Sequence, residues 1–470
     1  MIDERPASTP TEPASRAVGR RLTWEWRRLR LPRTRALSAA ALLSLCLLSA
    51  AAVTLRVRAD PALSPVDELQ HVDYLDRASH GHLVRVGEFD GRLARHEASC
   101  RTIEQSGFVA PPCDDSVHPA NQYPELGIDT AASDPPVYYL TTGLAARLLR
   151  SALHLSSLVT AARLLGMVWL ILGVVLTWAV MAELGAGLAG RLATGALMVT
   201  TPVVLVSGST VTSDAVLVAS GAGCLLAALL WERGRISPVV PLSVALVCGL
   251  LKITALVGVL PAALYLGWRA MRRSARTAEE AIPPRRGSLA LGVNTAICGL
   301  LGNFGWLIVV HLRTIANAPV PNMVVAFHRD HLRLAAIVES ISSTITPVDR
   351  AALLVPLWTS AIVQVAALLS AVLVAGVLGC VAWADRGSRA EALALSVTIT
   401  MLVTGPLFVV ALFVVQHAVI PDIPHRYALA LLPSMLALLA LALAKRFVRV
   451  ALVGLAVVAV LVTFERLITV

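Results

Sequence analysis

Residues 392–415 read ALALSVTITMLVTGPLFVVALFVV, 24 consecutive positions without one ionisable side chain. Wound as a helix, such a stretch rises about 36 Å, enough to cross the roughly 30 Å hydrocarbon core of a bilayer. Comparable apolar blocks recur at 36–55, 158–183, 190–207, 214–231, 238–251, 253–268, 288–311, 351–382, 426–444 and 447–464. The whole chain agrees with its blocks: of 470 residues 56% are apolar and only 15% charged, with a mean hydropathy of +0.72. A soluble surface carries about 25% charged residues, so soluble, disordered, collagen-like and coiled-coil classes are excluded. The expected fold is an all-α polytopic membrane protein of about 11 transmembrane helices.

The net charge of +10 is not a nucleic-acid signal. All basic residues but Lys252 and Lys445 are Arg, and they collect in short links between apolar blocks: Glu232–Arg235, Arg269–Arg286, Asp385–Arg389 and Lys445–Arg449. That is the positive-inside pattern. It places residues 1–35 as an Arg-rich cytoplasmic tail, disordered at first and amphipathic near Trp24 and Trp26. Residues 36–55 follow as the first span, 56–157 as an extracytoplasmic loop with interfacial helices, and 158–470 as a bundle of about ten helices. The stretch 136–153 is also apolar, but counting it as a span would put every later Arg cluster outside. It is therefore expected to lie in the outer interface. The outward segments are then 56–157, Ser207–Ser213, the turn near Lys252, 312–350 and 416–425. The expected location is the cytoplasmic (inner) membrane, with any chemistry on its outer side.

Between positions 60 and 135 there are 14 Asp or Glu against 5 Arg, and 5 of the 11 His. Cys100 and Cys113 share this polar loop without any His-Cys zinc spacing, and are read as a disulfide in an oxidising compartment. Cys46, Cys224, Cys248, Cys298 and Cys380 lie inside apolar blocks and read as small core residues.

The sharpest motif is Ser64-Pro65-Val66-Asp67-Glu68-Leu69-Gln70-His71-Val72-Asp73-Tyr74. Ser64, Pro65 and an acid at Asp67 suggest a helix start. On that helix Asp67, His71 and Tyr74 would share a face. Simple capping by Asp67, and metal binding by Glu68-x-x-His71, stay open as other readings. Asp134-Pro135-Pro136-Val137-Tyr138-Tyr139 closes the loop, as an aromatic anchor or part of a site. Asp214, Lys252, His425 and Arg426 fall where spans leave the membrane on the same side; ionisable groups there are costly and mark functional sites by default, with snorkelling as the bland alternative.

These features resemble the GT-C superfamily of integral-membrane glycosyltransferases, which take sugars from polyprenyl-phosphate lipids. The shared elements are a tail and first span, a large first outer loop opening on Asp67-Glu68, a Pro-Pro-x-Tyr-Tyr helix and an acid in the second outer loop. The Pro65…Asp67-Glu68…His71…Tyr74 string is most similar to the DUF2142 branch of predicted membrane proteins. The resemblance implies Asp67 as catalytic base with Glu68 beside it as support, Asp214 as the second-loop acid, and Lys252 and Arg426 as phosphate contacts. His71, Tyr74, Asp134, Tyr138, Tyr139 and His425 would complete the substrate site. No cofactor is expected, and without Asp-x-Asp in the second loop a divalent metal is not favoured. The implied partners are a polyprenyl-phosphate-linked sugar, a glycan, lipid or protein acceptor, and membrane lipids. A transporter or flippase is the main alternative; it should show internal repeats and broken helices with polar groups near the midplane. No repeat is visible, and the polar residues gather at the outer ends of the spans. A non-catalytic scaffold in envelope assembly is a further possibility.

Overall fold

A computed structural model describes residues 15–105, 107–116, 118–272, 285–348, 360–420, 423–442 and 446–469. The disordered start expected for the tail, most of the Arg269–Arg286 link, the beginning of the 351–382 block and Lys445 lie outside the described residues, as do the side chains around Trp24 and Trp26. The chain falls into two compact units, residues 1–44 and 45–470. The first contributes the early part of helix α1 (Ser15–Ala59), with Leu37 and Leu43 exposed on its surface.

The second unit is helical almost throughout. The first loop carries α2 (Glu68–Ser79), α3 (Arg92–Arg101) and α4 (Val137–Ala152). The bundle then runs α5 (Leu158–Glu183), α6 (Leu188–Thr200), α7 (Pro202–Ser209), α8 (Leu217–Glu232), α9 (Val239–Leu251), α10 (Leu256–Arg272) and α11 (Arg285–Arg313). After α12 (Asn322–Phe327) and α13 (Leu334–Ile345) come α14 (Ser360–Trp383), α15 (Arg389–Gln416), α16 (Leu432–Ala442) and α17 (Arg446–Thr469).

Among the described residues, nine helices are long and apolar enough to span, and the bent pair α6–α7 brings the count to ten. The eleventh expected span, 238–251, is a helix of 13 residues. It rises only about 20 Å. The reason is Lys252, whose backbone is extended (φ −166°, ψ 146°) and stops α9 before a short turn at Ile253–Ala255. The block at 190–207 is likewise not one straight helix. Thr201 is extended and Pro202 follows, so α6 and α7 meet at 61°. A proline inside a helix removes a backbone donor and clashes with the preceding turn.

The two ends of the bundle differ in chemistry. At one end the basic links cluster on acids: Arg269 and Arg389 reach Glu232 at 2.7 and 3.0 Å, while Arg233 and Arg235 reach Glu183 at 2.9 and 2.8 Å. At the other end lie the first loop and the short turns at 210–214, 252 and 425–427. Arg313 donates to the Leu83 carbonyl, Trp306 to that of Ser133, and Ile315 N–H to that of Val86, so the segment after α11 also belongs to the loop end. Helix α4 has 16 residues, shorter than a span, and packs between α2 and α5.

The first loop folds around its own core of Leu63, Leu69, Tyr74, Leu75, Ala98, Ile103, Tyr123, Tyr138 and Tyr139. A disulfide joins Cys100 to Cys113, with the Cα atoms 4.6 Å apart. A buried ion pair fastens the start of the loop to α5. Glu68, fully buried, meets Arg163 of α5 through two contacts, Nε to Oε1 at 2.8 Å and Nη2 to Oε2 at 2.7 Å. The same carboxylate accepts from Ser64 N–H at 2.7 Å and Val211 N–H at 2.8 Å. Arg163 spends its remaining donors on the carbonyls of Asp60 and Ala62. Both charges are desolvated, and each is saturated by the other and by backbone.

Two outcomes are expected. Arg163→Met strands the Glu68 charge, and loss of one member of a buried pair costs about 3–5 kcal/mol, so the detergent-solubilised variant should unfold at a clearly lower temperature than wild type. Cysteines placed at the exposed positions Arg150 and Arg235 should label from opposite faces of the membrane; labelling from the same face would contradict the arrangement of the two ends.

Candidate active site

Asp67 is not on the helix that its sequence suggested. Helix α2 begins at Glu68, and Asp67 is its N-cap in the left-handed region (φ 57°, ψ 16°) with no side-chain cap bond. The reciprocal acid of the helix start is Glu68, one residue later than expected, because its carboxylate receives Ser64 N–H while held by Arg163. Asp67 therefore does not share a face with His71 and Tyr74. Its carbonyl accepts the first helical bond, from His71 N–H at 3.0 Å, and its side chain stays 41% exposed. A left-handed non-glycine residue is uncommon, although Asp tolerates it better than most. Here the conformation frees the carboxylate from capping and turns it toward the bundle. The Arg426 guanidinium lies 3.9 Å from it.

Arg426 is shared. Its Nε donates to Asp214 Oδ2 at 3.0 Å, and Lys252 Nζ sits 2.7 Å from Asp214 Oδ1. Three separate chain breaks bring these groups together. Thr212 caps the turn Ser213–Val216 through a 3.2 Å bond to Asp214 N–H, Lys252 ends α9, and Arg426 opens the turn His425–Leu431. The ring of Tyr427 lies below both cations, 5.9 Å from Lys252 Nζ and 5.1 Å from the Arg426 guanidinium. Cations over an aromatic face gain further attraction when desolvated.

A second chain of contacts approaches from the first loop. Tyr139 Oη donates to Asp134 Oδ2 at 2.8 Å, and Ser213 Oγ donates to the same oxygen at 2.7 Å. The 2.7 Å contact between His71 Nδ1 and Tyr139 Oη must then use a proton from His71, since the hydroxyl proton is committed to Asp134. Burial, with the Lys252 ammonium nearby, holds the His71 imidazole below its ordinary pKa, hence neutral at pH 7. Burial and the Asp134 charge push the Tyr139 phenol well up, so it stays a donor. Tyr74 stacks on Tyr139 with centroids 4.1 Å apart, and Tyr138 meets it edge-on at 5.2 Å.

Two clefts lie beside these groups. On the bundle side Val66, Val203, Val206, Ser207, Thr210 and Thr212 surround Asp214 and Arg426. On the loop side Ser64, Pro65, Gln70, Ile103, Gln105 and Glu125 surround Asp67. The Asp67–Arg426 contact joins a lining residue of one to a lining residue of the other.

Of the residues singled out in the sequence, Asp67, His71, Asp134, Tyr139, Asp214, Lys252 and Arg426 converge. Four are engaged elsewhere, although Glu68 also lines the loop-side cleft. Glu68, expected beside the base, has both oxygens consumed by Arg163 and backbone, which also removes the Glu68-x-x-His71 metal reading. Tyr74 and Tyr138 support Tyr139 from behind. His425 turns to Thr346, with Nδ1 2.8 Å from its carbonyl and 3.0 Å from its hydroxyl. Ser213, Tyr427 and Arg163 went unselected. The first two adjoin Asp214 and Arg426 in sequence. Arg163 was detectable as an ionisable residue inside an apolar block.

No protein-family model matches the chain, and no curated protein does. Among solved structures, the cryo-EM structure of the arabinofuranosyltransferase AftD from Mycobacteria matches 86% of this chain at 15% identity and a TM-score of 0.33. The chain spans 27% of that protein's length. What fold and site establish directly is a multi-pass helical membrane protein with an acid–cation cluster at one end.

Asp214→Asn and Asp67→Asn should separate in stability. Asp214 is buried against two cations, so its loss is expected to cost about 3–5 kcal/mol. Asp67 is partly exposed and its contact is loose, so its loss should change stability by less than about 1 kcal/mol. Thermal unfolding of both variants in one detergent checks the contrast.

Proposed function

We propose that the chain is a GT-C-like glycosyltransferase acting on the outer face of the cytoplasmic membrane. It would move a sugar from a polyprenyl-phosphate donor to a cell-envelope acceptor: a glycan, a lipid or a protein. The observation that carries this reading is the junction at Asp67 and Arg426, where an accessible carboxylate stands beside a cation held by a second acid.

The electrostatics suit a phosphodiester. Lys252 and Arg426 together carry two positive charges, answered by buried Asp214 and, loosely, by Asp67 at 3.9 Å; when Asp67 takes up a proton, one positive charge is left for the departing lipid phosphate. Cations preorganised in a low-dielectric site stabilise charge as it develops on a departing phosphate. In the transfer, an acceptor hydroxyl oxygen forms a bond to the anomeric carbon while the carbon–oxygen bond to phosphate breaks. The bonding pair leaves with the polyprenyl phosphate, and the hydroxyl proton passes to Asp67 as general base. One displacement inverts the anomeric centre. In this reading the donor phosphate approaches Arg426 and Lys252, and the acceptor approaches the Asp67 carboxylate from the loop side. The His71–Tyr139–Asp134–Ser213 chain fixes the loop wall against the turn that carries Asp214.

One observation favours the alternative, a lipid flippase: the broken pair α6–α7 borders the bundle-side cleft, and discontinuous helices are a transporter device. Against it, the ionisable groups sit at one end of the bundle and not at its middle.

Transfer from a labelled polyprenyl-phosphate sugar by the purified full chain tests the assignment. Asp67→Asn should lower turnover by about 10²–10⁴-fold and leave donor binding intact. Lys252→Ala and Arg426→Ala should weaken donor binding as well as turnover. Wild-type transfer by Asp67→Asn, with Asp214→Asn inactive but folded, would move the base to Asp214.

A further inference from the structure

Away from the acid–cation cluster the first loop holds three more carboxylates, Asp73, Asp90 and Asp129. Their oxygens lie within 4.8 Å of one another, and all three side chains are buried, at 2%, 1% and 2% exposure. They come from separate segments: Asp73 from α2, Asp90 from the strand-like stretch before α3, Asp129 from the stretch before the turn Thr130–Ser133. Backbone bonds hold those stretches together, Asp90 N–H to the Gly127 carbonyl at 2.7 Å and Asp129 N–H to that of Glu88 at 2.9 Å.

Part of the charge is answered. Arg77 Nε lies 2.9 Å from Asp73 Oδ2, Gly91 N–H donates to Asp73 Oδ1 at 2.7 Å, and Ala131 N–H donates to Asp129 Oδ1 at 2.8 Å. Arg95 is the other cation nearby; its Nη1 donates to the His118 carbonyl, while its Nε bonds neither Asp90 nor any other group among the described residues. Asp90 is different. Neither of its carboxylate oxygens, nor Asp129 Oδ2, has a hydrogen-bond partner. A buried carboxylate without donors is among the costliest groups a protein can carry. Asp90 and Asp129 thus face each other and Asp73 with the Arg77 charge nearby but its Nε paired to Asp73. Burial and mutual repulsion push the Asp90 and Asp129 carboxyls well up.

We propose that Asp73, Asp90 and Asp129 bind one divalent, oxygen-seeking cation of the calcium type, which ties together the three loop segments behind His71 and Tyr139. The donor set is oxygen only, which suits a hard cation and not zinc or copper. Oxygens no more than 4.8 Å apart can all reach one ion, because calcium–oxygen bonds of about 2.4 Å allow ligand separations up to about that value. The ion would supply the positive charge that Asp90 and Asp129 lack. Its role is structural, and it stands whether or not the chain transfers sugars.

The test uses the purified full chain in detergent, stripped with EGTA and then given calcium chloride. Wild type should take up about one calcium per chain by elemental analysis, and its unfolding temperature should rise by several degrees. Asp90→Asn should lose both responses, while Asp67→Asn keeps them. Wild type that takes up no calcium and unfolds at the same temperature with and without it overturns the site. Asp90→Asn that is more stable than wild type in EGTA, with no calcium uptake by wild type, would show the trio to share protons instead. Should Asp90→Asn fail to fold, calcium uptake by the wild type decides the matter alone.

Discussion

The buried pair Glu68–Arg163 is the constraint on which the rest of the loop end depends. A charge inside a membrane protein is tolerated only when something saturates it. Here the saturating groups are an arginine 95 residues away, two backbone N–H groups and two carbonyls. Because Glu68 also receives Val211 N–H, the pair fixes the first loop, α5 and the turn before Asp214 in one arrangement. Asp67 is the residue next to this anchor. With Glu68 held inward and α2 beginning at that position, the chain enters through a left-handed turn. The Asp67 carboxylate is then delivered toward Arg426 instead of onto the helix.

Breaks between helices explain why the cations sit where they do. Lys252 and Arg426 both occupy breaks between helices, where a short turn replaces a continuous span and backbone polar groups need partners of their own. Asp214 answers both cations, and the Tyr427 ring lies below them. The result is a cluster at one end of the bundle in which two cations are held by one buried carboxylate and faced, loosely, by a partly exposed one. At the opposite end Glu183 and Glu232 absorb arginines from the short links, closing that end with ion pairs.

Much of this was legible from residue types alone. The apolar blocks are long and uninterrupted, so the all-helical membrane class follows from the bilayer's thickness. Asp67, Asp214, Lys252 and Arg426 stood out because ionisable groups beside apolar blocks need a reason. The exact start of α2 did not follow from Ser64, Pro65 and Asp67, since a distant arginine decides which acid closes the turn. The break at Thr201–Pro202 and the stop at Lys252 shortened the expected count, because block length was read without the local backbone. The trio Asp73, Asp90 and Asp129 has no sequence spacing at all. Only the folding of the loop brings its members together.

The fate of the sugar–phosphate bond is the most direct test of a transferase over a lipid mover. The purified chain would be reconstituted in sealed vesicles with a polyprenyl-phosphate sugar labelled in the sugar and, separately, in the lipid. Cleavage, with sugar label on acceptor and free polyprenyl phosphate left in the membrane, is the predicted result. Intact donor carried from one leaflet to the other, with both labels still joined, would contradict it.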